Sequence, residues 1–128
     1  MSESSTSATR HVLLVEDNEH DRVAFRRALR KSKINCHISE CQEAEAALEL
    51  LQSDGESFDL VVIDFGLPGM SGLELYKKAR AGGNQTPFVM LTGSGSEHLA
   101  AQALKSGVSD YIVKDSLQRA PFGLQDFR

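Results

Sequence analysis

Apolar residues along this chain recur with two periods. "HVLLV" (His11–Val15), "DLVVID" (Asp59–Asp64) and "PFVML" (Pro87–Leu91) are short, dense runs, the form taken by strands buried on both faces. "NCHISE" (Asn35–Glu40) is a weaker run, and "DYIVK" (Asp110–Lys114) ends the series. Between the runs the period lengthens to that of a helix. Asp21–Ser32 sets Phe25, Ala28 and Leu29 on one side, and "EAEAALELLQ" (Glu43–Gln52) spaces Ala44, Ala47, Leu48 and Leu51 as a helical stripe. Ser71 and Glu74 have the spacing of a capping box, which predicts a helix from there to the Gly82-Gly83 break. Ser96 is the expected cap of a further helix that stops at Gly107, a residue suited to the left-handed conformation after a last turn. Pro68-Gly69 reads as the middle of a tight turn.

Strand and helix therefore alternate, and alternation calls for a parallel sheet covered on both faces. The expected fold is α/β, a doubly wound five-stranded parallel sheet with helices on both faces. Residues 1–10 are rich in Ser and Thr without periodicity and read as a disordered lead. The folded unit is expected over 11–115. Residues 116–128, "SLQRAPFGLQDFR", carry Pro121 and Gly123, both unfavourable inside a helix, so a fifth helix is expected to be atypical or cut short.

Composition narrows the function classes. The 128 residues suffice for one domain, and 41% hydrophobic with 25% charged residues is ordinary for a soluble protein. A formal charge of −4 argues against direct binding of nucleic acid. No apolar run has the length of a membrane span and no signal-peptide core follows Met1, so a cytoplasmic protein without membrane contact is expected. Cys36 and Cys41 lie an odd number of residues apart on one expected strand, which points them to opposite faces and makes a bridge between them unfavourable.

Ligands of open parallel sheets bind beyond the carboxyl ends of the strands. The residues that follow each run are therefore informative: Glu16 and Asp17 after the first, Asp64 after the third, Thr92 after the fourth and Lys114 after the fifth. Singly, the acids read as loop residues or helix caps, Thr92 as a loop hydroxyl and Lys114 as a solvated strand end. Jointly they fall at one edge of the sheet. Two unit charges roughly 4 Å apart repel by about 4 kcal/mol at an effective dielectric near 20, so three carboxylates need a counter-charge or a proton. Mg2+ suits an all-oxygen set, and the lack of His or Cys at these positions disfavours zinc or copper. A carboxylate beside a metal, a Lys and a Thr is suited to accept a phosphoryl group, with Asp64 as the acceptor.

"LVEDN" (Leu14–Asn18), "IDFGLPGMSGLEL" (Ile63–Leu75) and "DYIVK" together resemble the CheY-like receiver domain of two-component response regulators, in order and in spacing, over roughly His11–Lys114. That resemblance implies that Asp64 takes a phosphoryl group from a phosphohistidine on a sensor histidine kinase or a histidine phosphotransfer protein. It implies direct ligation of Mg2+ by Asp17 and Asp64, a water-mediated part for Glu16, and a ligand from the Gly66 carbonyl. Lys114 would pair with one phosphoryl oxygen, Thr92 would move to bond another, and Tyr111 would swing inward as a switch. The output would be a downstream protein or an output domain outside these residues, and the only chemistry catalysed would be the domain's own phosphorylation and dephosphorylation.

The chain departs from that family in three places. Asp115 stands where Pro usually follows the lysine. The weak C-terminal segment makes the usual dimer surface of fourth helix, fifth strand and fifth helix atypical. Gly66 and Ser94 are small where many receivers carry larger side chains, which predicts ready access for hydrolytic water and a short-lived phosphoryl state. Arg22, Arg26 and Arg30, with Arg27 and Lys31, form a cationic helix face that is either solvated or offered to a partner. Three rival readings remain on the residues. An Asp-nucleophile phosphatase needs a second Asp two residues after the first, where Gly66 stands. A flavodoxin-like carrier needs a phosphate loop after the first strand, where Glu16 and Asp17 stand. The third is a docking module that works without phosphorylation.

Overall fold

The computed structural model describes residues 9–118 apart from Asp54, Glu56 and Ser94. The elements run β1 (Arg10–Val15), α1 (Glu19–Lys31), β2 (Cys36–Cys41), α2 (Ala44–Gln52), β3 (Leu60–Asp64), α3 (Gly72–Ala81), β4 (Phe88–Thr92), α4 (Glu97–Lys105) and β5 (Asp110–Val113). A short 3-10 helix, Lys114–Gln118, follows β5 directly. All strand pairs are parallel, in the order β2-β1-β3-β4-β5, as the alternating pattern predicts.

Alternate residues of the strands feed two cores. Leu13, Val15, Val61, Ile63, Phe88 and Met90 pack with Ala47, Leu51, Leu75, Tyr76, Ala79 and Ala103 from α2, α3 and α4. Val12, Leu14, Val62, Val89 and Leu91 pack on the other face with Phe25, Ala28 and Leu29 of α1 and Leu117 of the 3-10 helix. Both cysteines are free, and they fall into opposite cores, Cys41 in the first and Cys36 against the second.

Element ends differ from the expected ones by a residue or two, each for a local reason. Arg10 already donates its backbone N–H to Asn35 (3.0 Å), so β1 begins one residue inside the expected lead, whose residues 1–8 lie outside the described residues. Asn18 caps α1 by accepting from Asp21 N at 3.0 Å, which moves that helix start back to Glu19. Ser71 caps α3 through a bond from Glu74 N at 3.1 Å, as its spacing predicts. Ser96, by contrast, makes no side-chain cap to α4; its carbonyl takes the N–H groups of Leu99 and Ala100 instead. Gly107 does adopt a positive φ, +114°. Lys114 is not the last strand residue but the first of the 3-10 helix, and residues 119–128 lie outside the described ones.

Candidate functional site

Strand register brings the chemistry together. Val15 pairs with Ile63 across β1 and β3, so the next residues, Glu16 and Asp64, leave the sheet side by side. Asp64 pairs with Leu91 and Thr92 with Val113, which sets Thr92 at the end of β4 and Lys114 just beyond β5. The order of strands reverses direction between β1 and β3, the position where open parallel sheets form a crevice.

Glu16, Asp17 and Asp64 each offer a carboxylate oxygen, and these atoms lie within 4.8 Å of one another. Glu16 is fully buried, Asp64 is 8% exposed, and Asp17 lies open to solvent. Glu16 Oε2 accepts from Asn18 N at 3.1 Å, whereas the buried Oε1 has no hydrogen-bond partner among the described residues. The Lys114 ammonium stands 3.2 Å from that Oε1, an ion pair without good hydrogen-bond geometry. Burial, and after it the charge of Asp64, push the Glu16 carboxyl up to about 7; its bond from Asn18 and the nearby Lys114 oppose the rise.

Asp64 Oδ1 accepts from Gly66 N at 3.2 Å and lies 3.3 Å from Lys114 Nζ. Burial works against the Lys114 ammonium, but its hydrogen bond to Asp21 and the charges of Asp64 and Glu16 outweigh it and hold its pKa above the ordinary lysine range. Thr92 is 1% exposed, and its hydroxyl has no partner among the described residues. A buried hydroxyl left unpaired is costly unless something is supplied to it. Tyr111 is half-buried against the α2–α3–α4 core. Ser94 lies outside the described residues.

Two residues near the site have no signal in the apolar pattern. Asp21, in the first turn of α1, accepts from Lys114 Nζ at 2.7 Å. Its position is the usual one for an acid at a helix N-terminus, which hides any second use. Gly72 packs behind Asp64; a Cβ there would sit 3.1 Å from the Asp64 carbonyl oxygen and 3.2 Å from Met90 Sδ. The cationic face of α1 is partly committed: Arg22 Nη1 donates to the Glu16 carbonyl at 2.7 Å, and both Arg22 and Arg26 pair with Glu40 at the end of β2.

An acid cluster, a lysine and a buried threonine at the carboxyl ends of a sheet ordered β2-β1-β3-β4-β5 define a CheY-like receiver fold. Residues 12–120 match the sequence profile of the response regulator receiver domain. The chain belongs to this family, the receiver domains of two-component response regulators. It is 41% identical over 114 residues to the methanogenesis regulatory protein FilR1 of Methanothrix harundinacea, covering 86% of this chain and 25% of that protein. The chain thus spans about a quarter of that relative's length. The crystal structure of FixJ-N superposes with a TM-score of 0.73 at 27% identity, covering 93% of this chain and 87% of that one. The receiver domain of sensor histidine kinase PA1611 from Pseudomonas aeruginosa PAO1 shares the fold at 24% identity and a TM-score of 0.69, covering 88% of this chain and 93% of that one. In that protein a magnesium ion is coordinated in the active-site cleft. No helix among the described residues is long and apolar enough to cross a membrane.

Proposed function

We propose that this receiver takes a phosphoryl group onto Asp64 from a phosphohistidine, on a sensor histidine kinase or a histidine phosphotransfer protein, and thereby controls a downstream protein or an output domain. The observation that carries this reading is Lys114 Nζ, 3.3 Å from Asp64 Oδ1 beside three clustered carboxylates. In the transfer, a P–O bond forms to the Asp64 carboxylate as the P–N bond breaks; its electron pair leaves with the imidazole, which takes a proton from water. Lys114 neutralises one phosphoryl oxygen. Thr92, with its unpaired buried hydroxyl, donates to another, and Tyr111 moves into the space beside it.

The donor set fits a hard cation: it is all oxygen, it is partly buried, and Glu16 Oε1 lacks a hydrogen bond among the described residues. Asp17 and Asp64 would hold Mg2+ directly, with Glu16 acting through water and the Gly66 carbonyl completing the protein ligands. When bound, Mg2+ offsets the charge of the carboxylates and of the incoming phosphoryl oxygens. The protein works in the cytoplasm, beside its donor, as a regulator whose only catalysis is its own phosphorylation and dephosphorylation.

Acetyl phosphate with Mg2+, and then a phosphorylated phosphotransfer protein, test this by intact mass. The wild type should gain about 80 Da, the mass of one phosphoryl group, and Asp64→Asn should gain nothing. No gain from either donor would overturn the proposal and leave phosphorylation-independent docking as the reading to pursue.

A further inference from the structure

The shortest contact made by Lys114 is to a carboxylate outside the acid cluster. Its Nζ lies 2.7 Å from Asp21 Oδ2, against 3.2 Å from Glu16 Oε1 and 3.3 Å from Asp64 Oδ1. Asp21 is well anchored. Its backbone N–H is held by Asn18 Oδ1, and the helix that carries it is fixed to the sheet by Phe25, Ala28 and Leu29. Lys114 is the freer partner, a four-carbon stem at the start of a 3-10 helix with Asp115 rather than proline behind it. The pair lines a groove of about 710 Å³ between α1 and the 3-10 helix, so water reaches it and screens it in part.

Asp21 opposes the phosphoryl reaction in two ways. It draws the ammonium away from Asp64, where a phosphoryl oxygen will need it. It also places one more negative charge beside a position due to receive a group of charge about −2. We propose that Asp21 is a latch on Lys114 that holds this receiver toward its unphosphorylated state, a positioning residue acting through the lysine. This rests on Asp64 being the phosphoryl acceptor.

Neutralising the latch has consequences of opposite sign for metal and for phosphoryl group. Without Asp21 the full charge of Lys114 bears on Glu16 and Asp64 and competes with a cation there. Asp21→Asn should therefore raise the Mg2+ dissociation constant, read by calorimetry, about twofold. At saturating Mg2+ it should raise the initial rate of phosphorylation by acetyl phosphate about fivefold, the order expected for one partly exposed charge contact. Asp21→Glu, which keeps the charge, should restore both values to those of the wild type. A variant that merely disturbs α1 would weaken Mg2+ binding and slow phosphorylation together. A rate for Asp21→Asn at or below wild type overturns the latch while leaving Asp64 as acceptor. A wild type that takes no phosphoryl group overturns both.

Discussion

Glu16 is fully buried and carries an ionisable carboxyl next to Asp64. Its carboxyl pKa, raised from 4.5 to about 7, gives the metal-free protein a definite pH dependence. The folded state holds a proton that the unfolded chain has released, so stability falls as pH rises from about 5 to about 7, by an amount on the order of 2 kcal/mol. Urea unfolding in chelator should show that decline, and Glu16→Gln should flatten it. A cation displaces the proton, so Mg2+ affinity measured by calorimetry should rise between pH 6 and pH 8, with proton release below pH 7. A wild-type profile that stays level in chelator would mean that Glu16 is already ionised throughout this range. At this scale the sequence is informative wherever a polar residue directly follows an apolar run, as with Glu16, Asp64, Thr92 and Lys114. Asp21 is not legible in that way, because only the fold brings α1 to the start of the 3-10 helix.

Helix α4 illustrates what an element needs beyond its pattern. Its stop at Gly107 follows from the sequence, but the reason for glycine there is tertiary. At φ +114° a Cβ would lie 2.3 Å from the hydroxyl oxygen of Tyr76, a ring stacked edge-on against Phe88 at 5.2 Å and covered by the Arg80 guanidinium. Gly107→Ala is thus expected to lose about 3 kcal/mol, combining an unfavourable φ with an overpacked contact. Gly83 also has a positive φ, +94°, but open space around it, so Gly83→Ala should lose only about 1 kcal/mol. Adding Tyr76→Phe to Gly107→Ala should recover part of the larger loss, which urea midpoints at constant slope would measure. Equal losses at the two glycines would remove the role given to Tyr76. Ser96 marks the limit of local reading: it stands at the right place for a side-chain cap, yet it is its backbone carbonyl, not its hydroxyl, that takes the N–H groups of Leu99 and Ala100.

Across the whole molecule, two cores on opposite faces of one sheet carry the stability, and the strand ends carry the charge. Unbroken apolar runs along β1, β3 and β4, whose successive side chains point to opposite faces of the sheet, dictate both cores, which is why the fold was legible residue by residue. The site runs against that logic, with Asp64 and Glu16 buried at strand ends where apolar residues would be more stable. In the metal-free state the Lys114 ammonium faces three acids, Asp21, Glu16 and Asp64, with Asp17 close by. Above about pH 7, where Glu16 is ionised as well, relieving one of those charges should therefore stabilise the protein. Asp64→Asn keeps an oxygen for the Gly66 N–H and leaves Lys114 to Asp21 and Glu16. In chelator it is expected to gain about 1–2 kcal/mol, raising the melting temperature by roughly 4–8 °C. Millimolar Mg2+ should stabilise the wild type more than the variant and so close much of that gap, since the proposed ligation assigns Asp64 a carboxylate ligand that the variant lacks. A melting temperature that drops in Asp64→Asn would mean that the Lys114 ion pair outweighs the repulsion. The site would then be a stabilising part of the fold, and phosphorylation would have to work against it.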